Sequence, residues 1–389
     1  MLSLLRNKTV RDNAMQIGFV GGLVLLILIF IITARTNLEA QGMTSGFGFL
    51  NRATGWGVNF SLIEFTTSDT YLKVIWVGIL NSMFLGAIAL TIATFLGTLV
   101  GIMRVSGNKM AELIGTTFVE IFRNLPLLLQ LFFWYSLLTS LPKPKQGISI
   151  FDVAFISGRG FYLPGLNVSG GYVFVVFLIL VATISLALWL RMAKRFKRIP
   201  EVRKTLITRM LWLGFVVLTV VIFWLGRIPD TPLLNIPYLK GLNFRDGIRV
   251  SPELLACIIA ISLYGAAYIG EIVRAGFNSV SKGQGEAGHA LGLSPWQNFS
   301  RIKLPLAIRA VMPTLINQYV WLFKATTIGI AIGFVDFFMV ISTSINQSGQ
   351  TLELIAILMG GFLIINYSMA WVLNRVNDAI KLKGNQLRT

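Results

Sequence analysis

Long apolar runs closed by short polar clusters dominate the chain. Counting stretches of about 20 apolar residues gives eight spanning-helix candidates, at residues 17–34, 74–103, 113–139, 172–191, 210–226, 252–273, 310–335 and 353–374. The pattern predicts an all-α, polytopic integral membrane protein. The connections 35–72, 140–171 and 227–251 are long, mildly polar and rich in Gly, Pro and Asn, as expected of loops outside the bilayer. The stretch 281–310, SKGQGEAGHALGLSPWQNFSRIKLPLAIRA, is different: too polar to span and too patterned for a plain linker. Gly283 to Leu291 predicts a short helix, and Gly292 a left-handed stop. Ser294 is then placed as the N-cap of a second helix, with Pro295 at its first position and Gln297 as return partner of a capping box. Pro305 is expected to end or kink that helix. Together these signals predict a helix-turn-helix elbow over 281–306.

Composition agrees with a protein dissolved in lipid: 55% of the 389 residues are hydrophobic and 13% charged, about half the charged share of a soluble domain. The net charge of +18 raises the question of a nucleic-acid partner. The basic residues, however, fall between the spans, and no binding motif accompanies them. If the spans alternate sides, the side shared by both termini holds 22 Lys and Arg and the other side 10, with Arg123 and Lys324 inside spans. Cytoplasmic loops are the basic ones, so both termini are predicted to be cytoplasmic, with Arg191–Arg209 the strongest orienting cluster. The first span lacks a small-residue cleavage pattern and reads as a retained helix. The single cysteine, Cys257, lies in an apolar run, which excludes an intrachain disulfide and a zinc site built on several cysteines. No G-x-x-x-x-G-K-[ST] phosphate loop occurs, so ATP hydrolysis by this chain is not expected. No internal repeat is evident, which weakens an inverted-repeat transporter architecture.

In the elbow, Glu286, Ala287, Gly292, Ile302, Leu304 and Pro305 match the spacing of the EAA loop of bacterial ABC importer permeases: EAA, three residues, Gly, nine residues, I-x-LP. Gly288 stands where the third position is usually Ala, which is expected to loosen the first helix by about 1 kcal/mol. Val119–Tyr135 (VEIFRNLPLLLQLFFWY) and Tyr268–Gly276 (YIGEIVRAG) resemble two signatures of the polar amino acid branch of that family. Asn317–Thr327 (NQYVWLFKATT) resembles a third, with Ala325 where Asp is usual. The enlarged layout is most similar to permeases of the general L-amino acid type. The resemblance implies a five-helix type I permease core at 71–140 and 252–385. Residues 1–70 would add one helix and a periplasmic loop, and 141–251 would add two helices and a basic cytoplasmic loop. It implies a multi-pass subunit of the bacterial inner membrane that moves polar L-amino acids by alternating access. The partners implied are a separate P-loop ATPase, which would bind ATP and Mg, a second homologous permease, with a heterodimer favoured, and a periplasmic amino-acid-binding protein. No cofactor is implied in this chain. Glu286, Ala287, Gly288, Gly292, Leu304 and Pro305 would couple it to the ATPase.

Charges inside the spans are the remaining candidates. Glu120 and Arg123 are three apart on one helical face, readable as an ion pair locking adjacent helices or as groups lining the translocation path. Glu271 and Arg274 repeat that spacing before the elbow and read as a structural or gating pair. Lys324 has no acidic residue one helical turn away and is the first choice to meet a substrate carboxylate, with Thr326 and Thr327 beside it. The alternative reading, an ion-coupled secondary transporter or channel using Glu120, Arg123 and Lys324, leaves the elbow's spacing unexplained. His289 reads as a surface or packing residue. Gly97 with Gly101, and Gly329 with Gly333, read as close-packing pairs, and Trp56, Trp189, Tyr238 and Trp371 as anchors at the lipid interface.

Overall fold

The computed structural model describes residues 8–40, 46–169, 200–229 and 234–380, with isolated positions within 172–190 and at 231–232. Helix α1 is Lys8–Ala40, α2 Tyr71–Met103, α3 Lys109–Asn124, α4 Leu127–Thr139 and α5 Glu201–Leu225. Helix α6 is Pro252–Ser279, and the elbow holds α7, Lys282–Ala290, and α8, Pro295–Asn298. A π-helical turn, Phe299–Lys303, joins α8 to α9, Leu304–Lys324, and a 3-10 stretch, Ala325–Ile332, follows. Helices α10, Phe337–Ser348, and α11, Thr351–Ile380, complete the chain.

Among the described residues, five helices are long and apolar enough to cross a membrane, or up to seven spans if two bent pairs are each one. The expected span 113–139 is such a pair, α3 and α4, bent by 100° at Pro126. Proline removes a backbone donor and disfavours helix at the residue before it, and Leu125 is extended (ψ 131°). The expected span 310–335 is likewise not one continuous helix, being broken between Ile332 and Phe337. Of the candidate span 172–191 only isolated helical positions are described, while Trp189 and most of the basic cluster from Arg191 lie outside the described residues.

The chain forms two compact units. In the first, Met1–Phe84 with Gly333–Tyr367, Phe49, Tyr71, Val74, Phe337, Val340, Ile341 and Leu354 make an apolar core. Trp56 packs against that core and the Phe65 ring rather than standing as a lipid anchor. The start of α10 is held by buried polar groups: Asp336 Oδ1 accepts from Met339 N at 2.7 Å, Ser82 Oγ from Phe337 N at 2.9 Å, and Asn81 Nδ2 donates to Val335 O at 2.8 Å. Gly333 turns the chain with φ +81°. The expected Gly329–Gly333 packing pair therefore falls on a 3-10 stretch and its turn, not on one α-helical face.

In the second unit, Leu85–Ile332 with Ser368–Thr389, α6 is the central helix, packed by α9, α4 and α3. Two thirds of its most apolar window is buried, unlike a helix bathed in lipid. The Gly97–Gly101 pair of α2 does pack closely: a Cβ on Gly97 would lie 2.6 Å from Ile269 Cβ, and one on Gly101 2.6 Å from Val273 Cβ. Strands from the two long loops also pair. β1 (Ile148–Ile150), β2 (Ala154–Ser157) and β3 (Gly160–Leu163) join β8 (Ile248–Val250) in a four-stranded antiparallel sheet, while β4 (Gly165–Leu166) pairs β5 (Leu234–Asn235), and β6 (Tyr238–Lys240) pairs β7 (Asn243–Arg245). These strands interrupt an otherwise helical chain and were not predicted. They are two to four residues long, too short to show an alternating pattern over polar turns.

Overpacking a close helix contact costs about 1–3 kcal/mol. Gly97→Leu or Gly101→Leu is therefore expected to lower the thermal midpoint of the detergent-solubilised protein by several degrees, measured by tryptophan fluorescence. Gly214→Leu in α5, where a Cβ meets nothing within 4 Å, should leave it unchanged.

Candidate functional site

The elbow forms as predicted, from α7 into α8. Gly292 adopts φ +73°, and Leu293 N donates back to Gly288 O at 3.1 Å, the six-to-one bond that closes a helix end on a left-handed residue. The capping box is complete, Gln297 N donating to Ser294 Oγ at 3.3 Å and Ser294 N to Gln297 Oε1 at 3.0 Å. Gly288, expected to loosen the first helix, also has a packing role: a Cβ there would lie 2.7 Å from Asn298 Oδ1 and 2.8 Å from Ile302 Cδ1. Its absence lets the two elbow segments close, and buried Asn298 ties them through Nδ2 to Gly285 O at 2.8 Å. Of the two outcomes expected at Pro305, an end or a kink, the structure shows no end but a π-helical distortion just before it. The helical run continues from Pro295 to Ile332 because the π turn widens it, Leu304 N donating to Phe299 O five residues back, just before the proline that has no N–H to give.

Glu286, Ala287 and His289 are exposed on α7, whereas Leu304 and Pro305 are half-buried. Sequence reading missed the elbow's apolar knobs. Leu291 is 79% and Trp296 71% exposed, one on each side of Gly292. Behind Trp296 runs an aromatic stack, Trp296 on Phe299 (centroids 5.7 Å apart) and Phe299 on Phe277 of α6 (5.4 Å, planes 13° apart). The stack thus links the elbow to the end of α6.

Two turns back along α6, Glu271 and Arg274 form the expected pair, Arg274 Nη2 donating to Glu271 Oε1 at 2.6 Å. Arg104, directly after α2, donates to the other carboxylate oxygen, its side chain only 10% exposed. This third member was not predicted, since Arg104 reads in sequence as one more basic loop residue. One carboxylate thus clasps two guanidinium groups and joins the end of α2 to α6.

Glu120 and Arg123 are both exposed and do not pair with each other. The Glu120 carboxylate accepts from Asn124 Nδ2 at 2.9 Å, while the Arg123 guanidinium lies 5.3 Å from the centre of the Tyr268 ring. The bend after α3 leaves carbonyls open, and Gln130 Nε2 fills two of them, Phe122 O at 2.9 Å and Leu125 O at 3.0 Å. Beyond Arg123, Tyr264, Tyr268 and Trp321 form an aromatic group, Tyr264 stacked on Trp321 at 5.6 Å.

Trp321 and Lys324 line a groove of about 540 Å3 with Pro313, Asn317 and Asn374. The structure therefore brings Arg123, the aromatic group and Lys324 into one contiguous set. Its members offer cations, ring faces and amides, and the residues lining the groove include no carboxylate. Thr326 and Thr327 are not among them. Thr326 is fully buried, and its hydroxyl donates to Phe323 O at 2.8 Å, while that of Thr327 donates to Lys324 O at 2.9 Å.

Residues 93–381 match the family described as "Binding-protein-dependent transport system inner membrane component". The chain is 36% identical to the putative amino-acid ABC transporter permease protein YhdX of Escherichia coli (strain K12), over 97% of this chain and 95% of that one. It is 36% identical to the general L-amino acid transport system permease protein AapQ of Rhizobium johnstonii, covering 82% of this chain and 80% of that one. It is 32% identical to the glutamate/glutamine/aspartate/asparagine transport system permease protein BztB of Rhodobacter capsulatus, covering 94% and 91%.

If the clasp is a coupled unit, removing its centre leaves two guanidinium groups unpaired near one another. Glu271→Gln is expected to reduce uptake more than Arg104→Met does, and Arg104→Met on top of Glu271→Gln to recover part of the loss. A double-mutant cycle on initial uptake rates reads the coupling.

Proposed function

We propose, for a chain that belongs to the binding-protein-dependent inner membrane transport components and is the permease subunit of an ABC amino acid importer, that its elbow is the surface through which the ATPase drives it. Membership in this family implies an ATPase and a binding protein as partners, and sets aside the ion-coupled alternative. The permease is not itself an ATPase. The observation that carries the coupling role is the exposed elbow face, Glu286 with Leu291 and Trp296, backed by the stack of Phe299 on Phe277. An apolar pair beside an acidic residue suits a groove on a soluble subunit, and the stack leads from that face into α6. The elbow and both termini are then cytoplasmic, as the distribution of basic residues argues.

In this reading the cargo is a polar L-amino acid and Lys324 receives its carboxylate. Lys324 faces the groove at the end of α9 beside Trp321, Asn317 and Asn374. Arg123 and the aromatic group extend the same path, and alternating access moves the groove between the two sides of the membrane. The clasp of Glu271 with Arg104 and Arg274 lies between groove and elbow along α6 and acts as the gate. The permease pairs with a related second permease rather than with a copy of itself, because Ala325 replaces an acidic position that the partner would keep.

Two measurements test these roles. Glu286→Lys and Gly292→Pro are expected to abolish co-purification of the ATPase in detergent and uptake by proteoliposomes, with the permease still in the membrane fraction. Equal ATPase recovery from wild type and both variants would remove the elbow as the dock. Lys324→Ala should lower uptake at least tenfold, since a charged hydrogen bond contributes about 1.5–3 kcal/mol, while ATPase recovery stays at the wild-type level. Unchanged uptake would take Lys324 out of the site.

A further inference from the structure

The two loops that flank the inserted helices, 140–171 and 227–251, build one folded body. β3 pairs with β8 across the insert, Phe161 opposite Val250 and Leu163 opposite Ile248, and Val168 bridges Arg227. Phe244 stacks on Phe155 at 4.5 Å and meets Tyr162 at 4.8 Å, and the Tyr162 hydroxyl lies 2.6 Å from Asn243 Oδ1. The body therefore has a small aromatic core and a fixed outer surface. Its place follows from the chain: β8 runs directly into the N-cap Ser251 of α6, whose far end leads into the elbow. A helix of 28 residues is about 42 Å long at 1.5 Å per residue, so this platform and the elbow occupy opposite ends of α6.

The platform's surface is basic. The two loops contain seven Lys and Arg against three Asp, and no carboxylate among the described residues pairs with Arg159, Arg245 or Arg249. Arg249 is held by its guanidinium, which donates to Arg159 O at 2.9 and 3.1 Å, and Arg159 donates to Leu242 O at 3.2 Å. Long cations immobilised on backbone carbonyls lose less entropy when they meet a partner than free ones do. Apolar side chains stand among them: Leu242 is 68% and Phe151 92% exposed. Phe151 and Asp152 have φ of 52° and 55°, a left-handed pair that bulky residues rarely adopt and that presents the Phe151 ring at the hairpin tip.

We propose that this platform is the docking surface for the transporter's binding protein, with Lys240, Arg159, Arg245 and Arg249 meeting carboxylates on that protein while Phe151 and Leu242 bury apolar area between them. The inference rests on the orientation given above, which puts the platform outside the cytoplasm. Membership of a binding-protein-dependent family supplies a soluble partner that must reach that face. A surface of cations, two of them held on backbone carbonyls, around apolar knobs matches the pattern of protein interfaces, in which charge steers approach and buried apolar groups slow release. Anionic lipid headgroups are the competing occupant, and the test separates the two.

The experiment uses the assembled transporter in nanodiscs and its purified cognate binding protein. Lys240 and Arg245 form no side-chain hydrogen bond or ion pair among the described residues, so their reversal leaves the platform's scaffold in place. K240E/R245E is expected to weaken binding by about tenfold or more and to flatten its dependence on salt, with ATPase activity in the absence of binding protein unchanged. A second readout is Leu242→Cys, since the native Cys257 is fully buried. In intact spheroplasts an impermeant thiol reagent should label it, and in nanodiscs of zwitterionic lipid the binding protein should protect it. Labelling only after permeabilisation would overturn the orientation itself. Labelling from outside with no protection, and unchanged affinity of K240E/R245E, would overturn the docking role alone. Protection by anionic lipid without binding protein would assign the surface to the membrane and overturn it equally.

Discussion

A chain in lipid must satisfy its backbone polar groups from within, because the hydrocarbon offers no water. At the breaks of the two bent helix pairs, side chains supply partners for the open backbone groups. Gln130 closes the open carbonyls at the α3–α4 bend. Asn81 and Ser82 serve Val335 and Phe337 at the start of α10, and Asp336 caps that helix. At the elbow's exit the remedy lies in the backbone itself, a π turn ahead of Pro305. Polar side chains at the two bends thus meet backbone groups that the changes of direction leave open.

The same constraint explains what could be read from the sequence. Apolar run length located the helices, and the elbow's glycine, capping box and first proline reported its local geometry, since each of these is a contact between near neighbours. Gln130, Asn81 and Ser82 read as ordinary polar residues until their partners, brought in by the bends, are in place. Arg104 is the sharper case. It lies 167 residues from Glu271, and only the close approach of α2 to α6 at Gly97 and Gly101 brings it to that carboxylate. The expectation of a Glu120–Arg123 pair erred in the opposite sense. Spacing three apart permits a pair, but Asn124 and the Tyr268 ring offered each group another partner.

Gly288 shows how a departure from a family pattern changes meaning in three dimensions. By helix propensity alone a glycine in place of alanine weakens the elbow. In the folded chain it admits Asn298 and Ile302 to the helix surface, and the Asn298 amide then fastens the two segments together. Local cost and tertiary gain fall on the same residue, and only the second is invisible to a propensity scale.

The pairing of β3 with β8 has a consequence for how such a chain grows. Leu163 and Ile248 are direct neighbours across two strands, so their backbones lie about 5 Å apart, although 84 residues lie between them in the sequence. Further in, Val168 bridges Arg227, so the chain leaves and re-enters the platform at neighbouring points. A change of length between Val168 and Arg227 need not alter the register of β3 on β8, so the platform can keep its shape whatever the inserted segment carries.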